Sequence, residues 1–173
     1  MHVYEKMKIF QAIEKTVNGI IRVMAGISNV IIVYLMLSVC TDVILRYFFN
    51  RPQAWIVEIS EYLLLYVTFL GAAWVLKNEG HVIVDILLTR VSPKTNAVLG
   101  VLSSIIGIFV CLIIFWFGTI ETLYHFKRGV LNPSILEFPK APLLAIIPFG
   151  CFFFMLQFIR RTLGFIRALN PSQ

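Results

Sequence analysis

Residues 55–76, "WIVEISEYLLLYVTFLGAAWVL", would read as a plain membrane-spanning helix were it not for Glu58 and Glu61. An acidic residue at a bilayer centre costs roughly 2.5–3.5 kcal/mol on insertion scales, so the depth of the two carboxylates matters. Trp55 and Trp74 stand 19 residues apart. That separation is about 28 Å along a helix, close to the ~30 Å of a hydrocarbon core, so each interface is expected to carry an aromatic anchor. Glu58 and Glu61 share one helix face only about 4–10 Å beyond Trp55. They belong to one rim of the membrane, well short of its middle.

The rest of the chain repeats the pattern. Of 173 residues, 59% are hydrophobic, and the mean hydropathy is +0.86. The apolar excess lies in long runs that place four spans at about residues 20–45, 54–76, 96–124 and 139–160. Each is long enough to cross as a helix, and none shows the strict alternation of barrel strands. The fold expected is an all-α integral membrane protein, a single membrane domain over residues 1–173. No cleavable signal peptide is apparent, so the first span should both target the chain and remain in it.

Two interfacial helices are expected besides the spans. Val3, Met7, Phe10, Ile13, Val17 and Ile20 recur at three- and four-residue steps, marking residues 1–19 as an amphipathic helix along the membrane surface. Residues 81–91, between spans two and three, are apolar enough to form a second, shorter one. Ser92-Pro93 supplies a cap and a first-turn proline for span three. Pro148 lies inside span four and is expected to kink it.

The net charge of +6 does not indicate nucleic acid, because the basic residues are divided by side. With both termini cytoplasmic, the inside carries Lys6, Lys8, Lys15, Arg22, Lys77, Arg90, Lys94, Arg160, Arg161 and Arg167. Arg46, Arg51, Lys127, Arg128 and Lys140 fall outside. Ten against five is a positive-inside bias that orients the chain, and the basic excess faces anionic lipid.

Asn50-Arg51-Pro52 is a turn that makes spans one and two a hairpin. Asp42 and Arg46 stand one turn apart at the matching end of span one, which places Arg46 near Glu58 or Glu61. The carboxylates then either pair with Arg46 and staple the hairpin or meet a basic partner at the rim. His81 and Asp85, also one turn apart, lack further metal ligands and read as a local pair or partner contact. Cys40, Cys111 and Cys151 form no C-x-x-C pair and read as small apolar side chains. Gly100, Ser103, Ser104 and Gly107 make a small-residue seam that packs either within the chain or on a partner. Asn29, Ser38 and Thr68 are polar groups within the spans, expected to bond neighbouring helices.

A proton or sodium relay needs an ionisable or oxygen-rich site near the midplane, and no acidic residue stands there. Membrane haem, a metal site and a hydrolytic triad lack their residues, so no cofactor is expected. Charges at the ends and a quiet middle fit a scaffold better than a carrier. The competing class is an autonomous four-span transporter working as a homodimer.

The stretch "RYFFNRPQAWIVEISEYLLLYVTFLGAAWVLKNEGHVIVDIL", residues 46–87, resembles the small membrane subunit of tripartite ATP-independent periplasmic (TRAP) transporters, the DctQ-like family. The resemblance rests on Arg46-Tyr47, Asn50, Pro52, Trp55, Glu58, Glu61, the Phe69–Ala73 block, and His81, Val84 and Asp85. It implies a separate large membrane subunit that holds the substrate and sodium sites, and a periplasmic binding protein that delivers the substrate. It further implies that the small subunit braces the large one and adds to the docking surface. The family's substrates include C4-dicarboxylates, sialic acid and related sugar or keto acids.

Overall fold

Long uninterrupted apolar runs leave the backbone only one way to satisfy its own hydrogen bonds in a bilayer, and the chain takes it four times. In a computed structural model the backbone is described over residues 2–51, 53–88, 93–134 and 136–169, and side chains over 14–51, 53–78, 95–134 and 136–166. The helices are α1 (His2–Phe48), α2 (Ala54–Leu88), α3 (Pro93–Arg128) and α4 (Lys140–Leu169). Each contains a segment long and apolar enough to cross a membrane.

The expected interfacial helices are not separate elements. α1 runs unbroken for 47 residues, about 70 Å, through the junction expected near residue 20. α2 likewise continues through 81–88. Within α1, Gly19 and Gly26 lie in the helical run. A lone glycine costs a helix only about 1 kcal/mol, too little to force a bend. Pro93 is the first residue of α3, where its missing N–H is no loss. Pro148 sits inside α4 and leaves the Leu144 carbonyl without its usual helical donor.

The helices form an open layer in the order α1, α2, α4, α3, with the most extensive contact between α3 and α4. Connections 49–53 and 129–139 lie at one end, the loop end; both termini lie at the other. Along α1 a line of less exposed positions runs through Ile21, Met24, Ser28, Ile31, Leu35, Ser38, Asp42 and Leu45, with Ala25 buried beside it. Steps alternating between three and four put them on one seam, the geometry of left-handed helix packing, and this seam faces α2. The core joins Ile21 and Met24 to Leu70 and Ala73 of α2 and to Ile146 and Phe153 of α4.

Small residues set how closely the helices approach. A Cβ built on Gly150 of α4 would stand 2.5 Å from the Phe69 carbonyl oxygen of α2. On the α3 seam, a Cβ on Gly100 would meet the Phe165 ring, and one on Gly107 the Phe158 ring, each at 2.5 Å. Of the span polar groups, Ser38 and Thr68 donate to Leu35 and Leu64 carbonyls of their own helices rather than to neighbours. A cross-helix bond comes instead from Ser28, whose hydroxyl donates to the Val67 carbonyl at 3.3 Å.

Candidate functional site

At the loop end, Asp42 is buried and holds the first hairpin together. Its Oδ2 accepts from Arg46 at 2.7 Å, and its Oδ1 accepts from the backbone N–H of Gln53 at 3.1 Å. Arg46, expected near Glu58 or Glu61, pairs with Asp42. Asp42 lies one turn back on the same helix, so the guanidinium finds a carboxylate without crossing to α2. The chain turns at Asn50, which takes a left-handed φ of 52°, a conformation asparagine tolerates.

Glu58 faces the other way, toward connection 129–139, and accepts from the Leu136 N–H at 3.2 Å. One turn on, the Tyr62 hydroxyl accepts from the Asn132 amide at 2.7 Å and lies 3.2 Å from the Ser134 hydroxyl. A further turn on, Tyr66 donates to the Pro142 carbonyl at 2.9 Å. Glu58, Tyr62 and Tyr66 thus form a polar stripe that holds a connecting arm and the start of α4. The arm also bonds itself. Leu131 and Pro139 form an antiparallel bridge, Asn132 N–H donates to the Phe138 carbonyl at 2.9 Å, and Lys140 N–H to the Val130 carbonyl at 3.1 Å. In the sequence this stripe is visible as the four-residue spacing of Glu58, Tyr62 and Tyr66.

Glu61 lies outside this clamp, with an exposed side chain at the same rim. Trp55 is also exposed, its indole N–H donating to the Gln53 side chain at 2.9 Å. Trp74 packs against the core and lies under Lys77, whose ammonium is 5.5 Å from the ring centre.

The terminus end has its own clamp, which the sequence did not announce. Arg160 of α4 donates to Glu14 at 2.6 Å and to Asn18 at 2.9 Å, both on α1. The two acceptors stand one turn apart on the helix, so a single guanidinium can bridge them.

On the α3 seam, Gly100, Ser104, Gly107 and Cys111 are the less exposed positions, and the two glycines receive α4 rings. Ser104 is fully buried, its hydroxyl satisfied by the Gly100 carbonyl at 2.7 Å. Ser103 faces outward. The seam therefore packs within the chain, through Gly100, Ser104 and Gly107 but without Ser103. His81 and Asp85 lie on the α2 backbone, and their side chains are outside the described residues.

Among the described residues, Asp42, Glu58, Glu61, Glu121 and Glu137 occupy the loop end and Glu14 the terminus end, with no acid between them. The arrangement can fix helices and present charge at both rims. Among the described residues it offers no acidic side chain at mid-depth.

Residues 35–168 match the family model described as tripartite ATP-independent periplasmic transporters, DctQ component. A Haemophilus influenzae protein described as a TRAP transporter small permease protein is 31% identical over 84 residues. That alignment takes in 49% of this chain and 52% of the relative, so the chain spans about half the length of the relative it matches.

Proposed function

We propose that this chain, which belongs to the DctQ component family of tripartite ATP-independent periplasmic transporters, braces a separate large transport subunit and helps dock a periplasmic substrate-binding protein. The transport served is sodium-coupled uptake of an organic acid: a C4-dicarboxylate, sialic acid or a related sugar or keto acid. The observation that carries this reading is the placement of charge: acids gather at the two rims, and the described middle holds none. A carrier of an anion or a coupling ion needs the opposite distribution. Broad apolar faces on both sides of the open layer suit a neighbour in the bilayer. The bonded arm at 129–139, with Glu61 and Arg51 exposed beside it, suits a docking surface in the aqueous phase.

Extraction of a tagged chain from cells that also encode the large subunit should recover that subunit in stoichiometric amount. Recovery of a homodimer alone would overturn the bracing reading and favour the small-transporter class.

The same reading places the protein in the bacterial inner membrane with both termini cytoplasmic, on the ten-to-five division of basic residues. An alkaline phosphatase fusion near Gly129 should be active outside, and one near Gly80 should be silent. Activity from the Gly80 fusion in a functional protein would reverse the orientation.

A further inference from the structure

A groove of about 620 Å³ runs between α1, α2 and α4 from the terminus end toward mid-membrane. Ala25, Ser28 and Ile32 form one wall, and Thr68, Ala72 and Leu76 another. Phe154 and Phe158 of α4 close its floor. On α2 its lining extends from Val67 to Leu76, about 14 Å of helix and close to the depth of one leaflet. A cavity of this shape accepts an acyl chain entering from one side of the membrane.

Its mouth is cationic. Arg161 lines it, and the guanidinium lies over the Phe165 ring, one turn nearer the helix end, at 5.5 Å. The Arg161 Nε is buried without a hydrogen-bond partner. Lys77 reaches the same level, stacked on the groove-lining Trp74. Neither cation is in an ion pair among the described residues, whereas the adjacent Arg160 is fully engaged by Glu14 and Asn18. Burying a cationic side chain without an anion is costly, so the site is complementary to a negative group at headgroup depth.

From this charge complementarity and the one-leaflet depth we propose that the groove binds an anionic phospholipid. One acyl chain lies between α1 and α2, and the phosphate is held by Arg161 and Lys77. The proposal is independent of which acid is transported and of which side the termini face.

Brominated-lipid quenching tests it on the full chain, as purified with any partner that stays bound. Trp55 and Trp116 are exposed and are replaced by phenylalanine, leaving Trp74 as the reporter. Probes are phosphatidylglycerol and phosphatidylcholine carrying the same brominated chains, diluted into unbrominated phosphatidylcholine. Half-maximal quenching should need roughly 25- to 30-fold less of the anionic lipid, as two cations at about 1 kcal/mol each provide. The preference should weaken with added sodium chloride, shrink about fivefold in Arg161→Gln, and survive in Arg161→Lys. Inorganic phosphate should leave it unchanged. Equal quenching by the two lipids, or a preference insensitive to salt, overturns the proposal without recourse to any variant's folding. Displacement by inorganic phosphate alone overturns it in favour of a soluble anion. Absence of lipid quenching whenever a large subunit copurifies overturns it in favour of a partner helix seated in the groove.

Discussion

Gly150→Leu should separate α2 from α4 and prevent recovery of a folded four-helix chain. The reason is the identity of the neighbour. A Cβ at this position would stand 2.5 Å from the Phe69 carbonyl oxygen and 2.9 Å from its carbonyl carbon, which are backbone atoms of α2. Backbone in the middle of a spanning helix cannot swing aside without breaking its own hydrogen bonds, for which lipid offers no replacement. Even Gly150→Ala must push the helices apart. Overpacking of this kind costs about 1–3 kcal/mol, against about 1 kcal/mol regained from helix propensity. A net loss of up to about 2 kcal/mol is expected for alanine, read as a lower thermal midpoint in mild detergent. Larger side chains should lose the monodisperse peak altogether.

Two comparisons make the result specific. Gly100 and Gly107 are equally tight by distance, but their neighbours are the rings of Phe165 and Phe158, which can rotate. Alanine there should therefore cost less than at Gly150. Gly164 has nothing within 4 Å of the same built atom, so Gly164→Ala should be neutral or slightly stabilising. Equal midpoints for Gly150→Ala and Gly164→Ala would show that α2 and α4 do not meet as the structure has them.

The four helices were legible because length and apolarity alone decide them. Which face of each helix packs was not. In water the apolar side of a helix marks its core, but in lipid the exposed side is as apolar as the packed one. Val30, Val33 and Leu37 of α1 are exposed and no less hydrophobic than Ile21 or Met24, which are buried. The information that remains lies in small and polar residues. The α3 seam was found from its glycines and serines, although Ser103 turned out to face away. Charge partners were harder to foresee: Arg46 took the nearest carboxylate in sequence, whereas Arg160 crossed to residues more than a hundred positions earlier. A continuing helix also looks the same in sequence as a spanning helix followed by an interfacial one, which is why α1 and α2 came out longer than expected.

Reconstituted alone in sodium-loaded or sodium-free liposomes, this chain should take up no organic acid, and transport by the assembled system should fail without it. An organic anion crossing ~30 Å of hydrocarbon needs a path with cationic or hydrogen-bonding groups at mid-depth. The polar groups described between its two charged rims include Ser28, Ser38, Thr68 and Ser104, whose hydroxyls are already committed to backbone carbonyls, and Gln157, a neutral amide. The chain also offers Asn29, a neutral amide on the lining of the groove between α1 and α2. None can neutralise a carboxylate or coordinate sodium with the several oxygens a coupling site requires. Alternating access further needs one part to move against another, whereas clamps at both ends tie these helices together. The expected contribution is a fixed surface against which a larger neighbour moves. Uptake driven by a sodium gradient should therefore appear only when the large subunit and the loaded binding protein are added, and should drop to the liposome background when this chain is omitted. Sodium-driven uptake by this chain alone would refute the scaffold role and require a mid-depth ion path that its side chains do not provide.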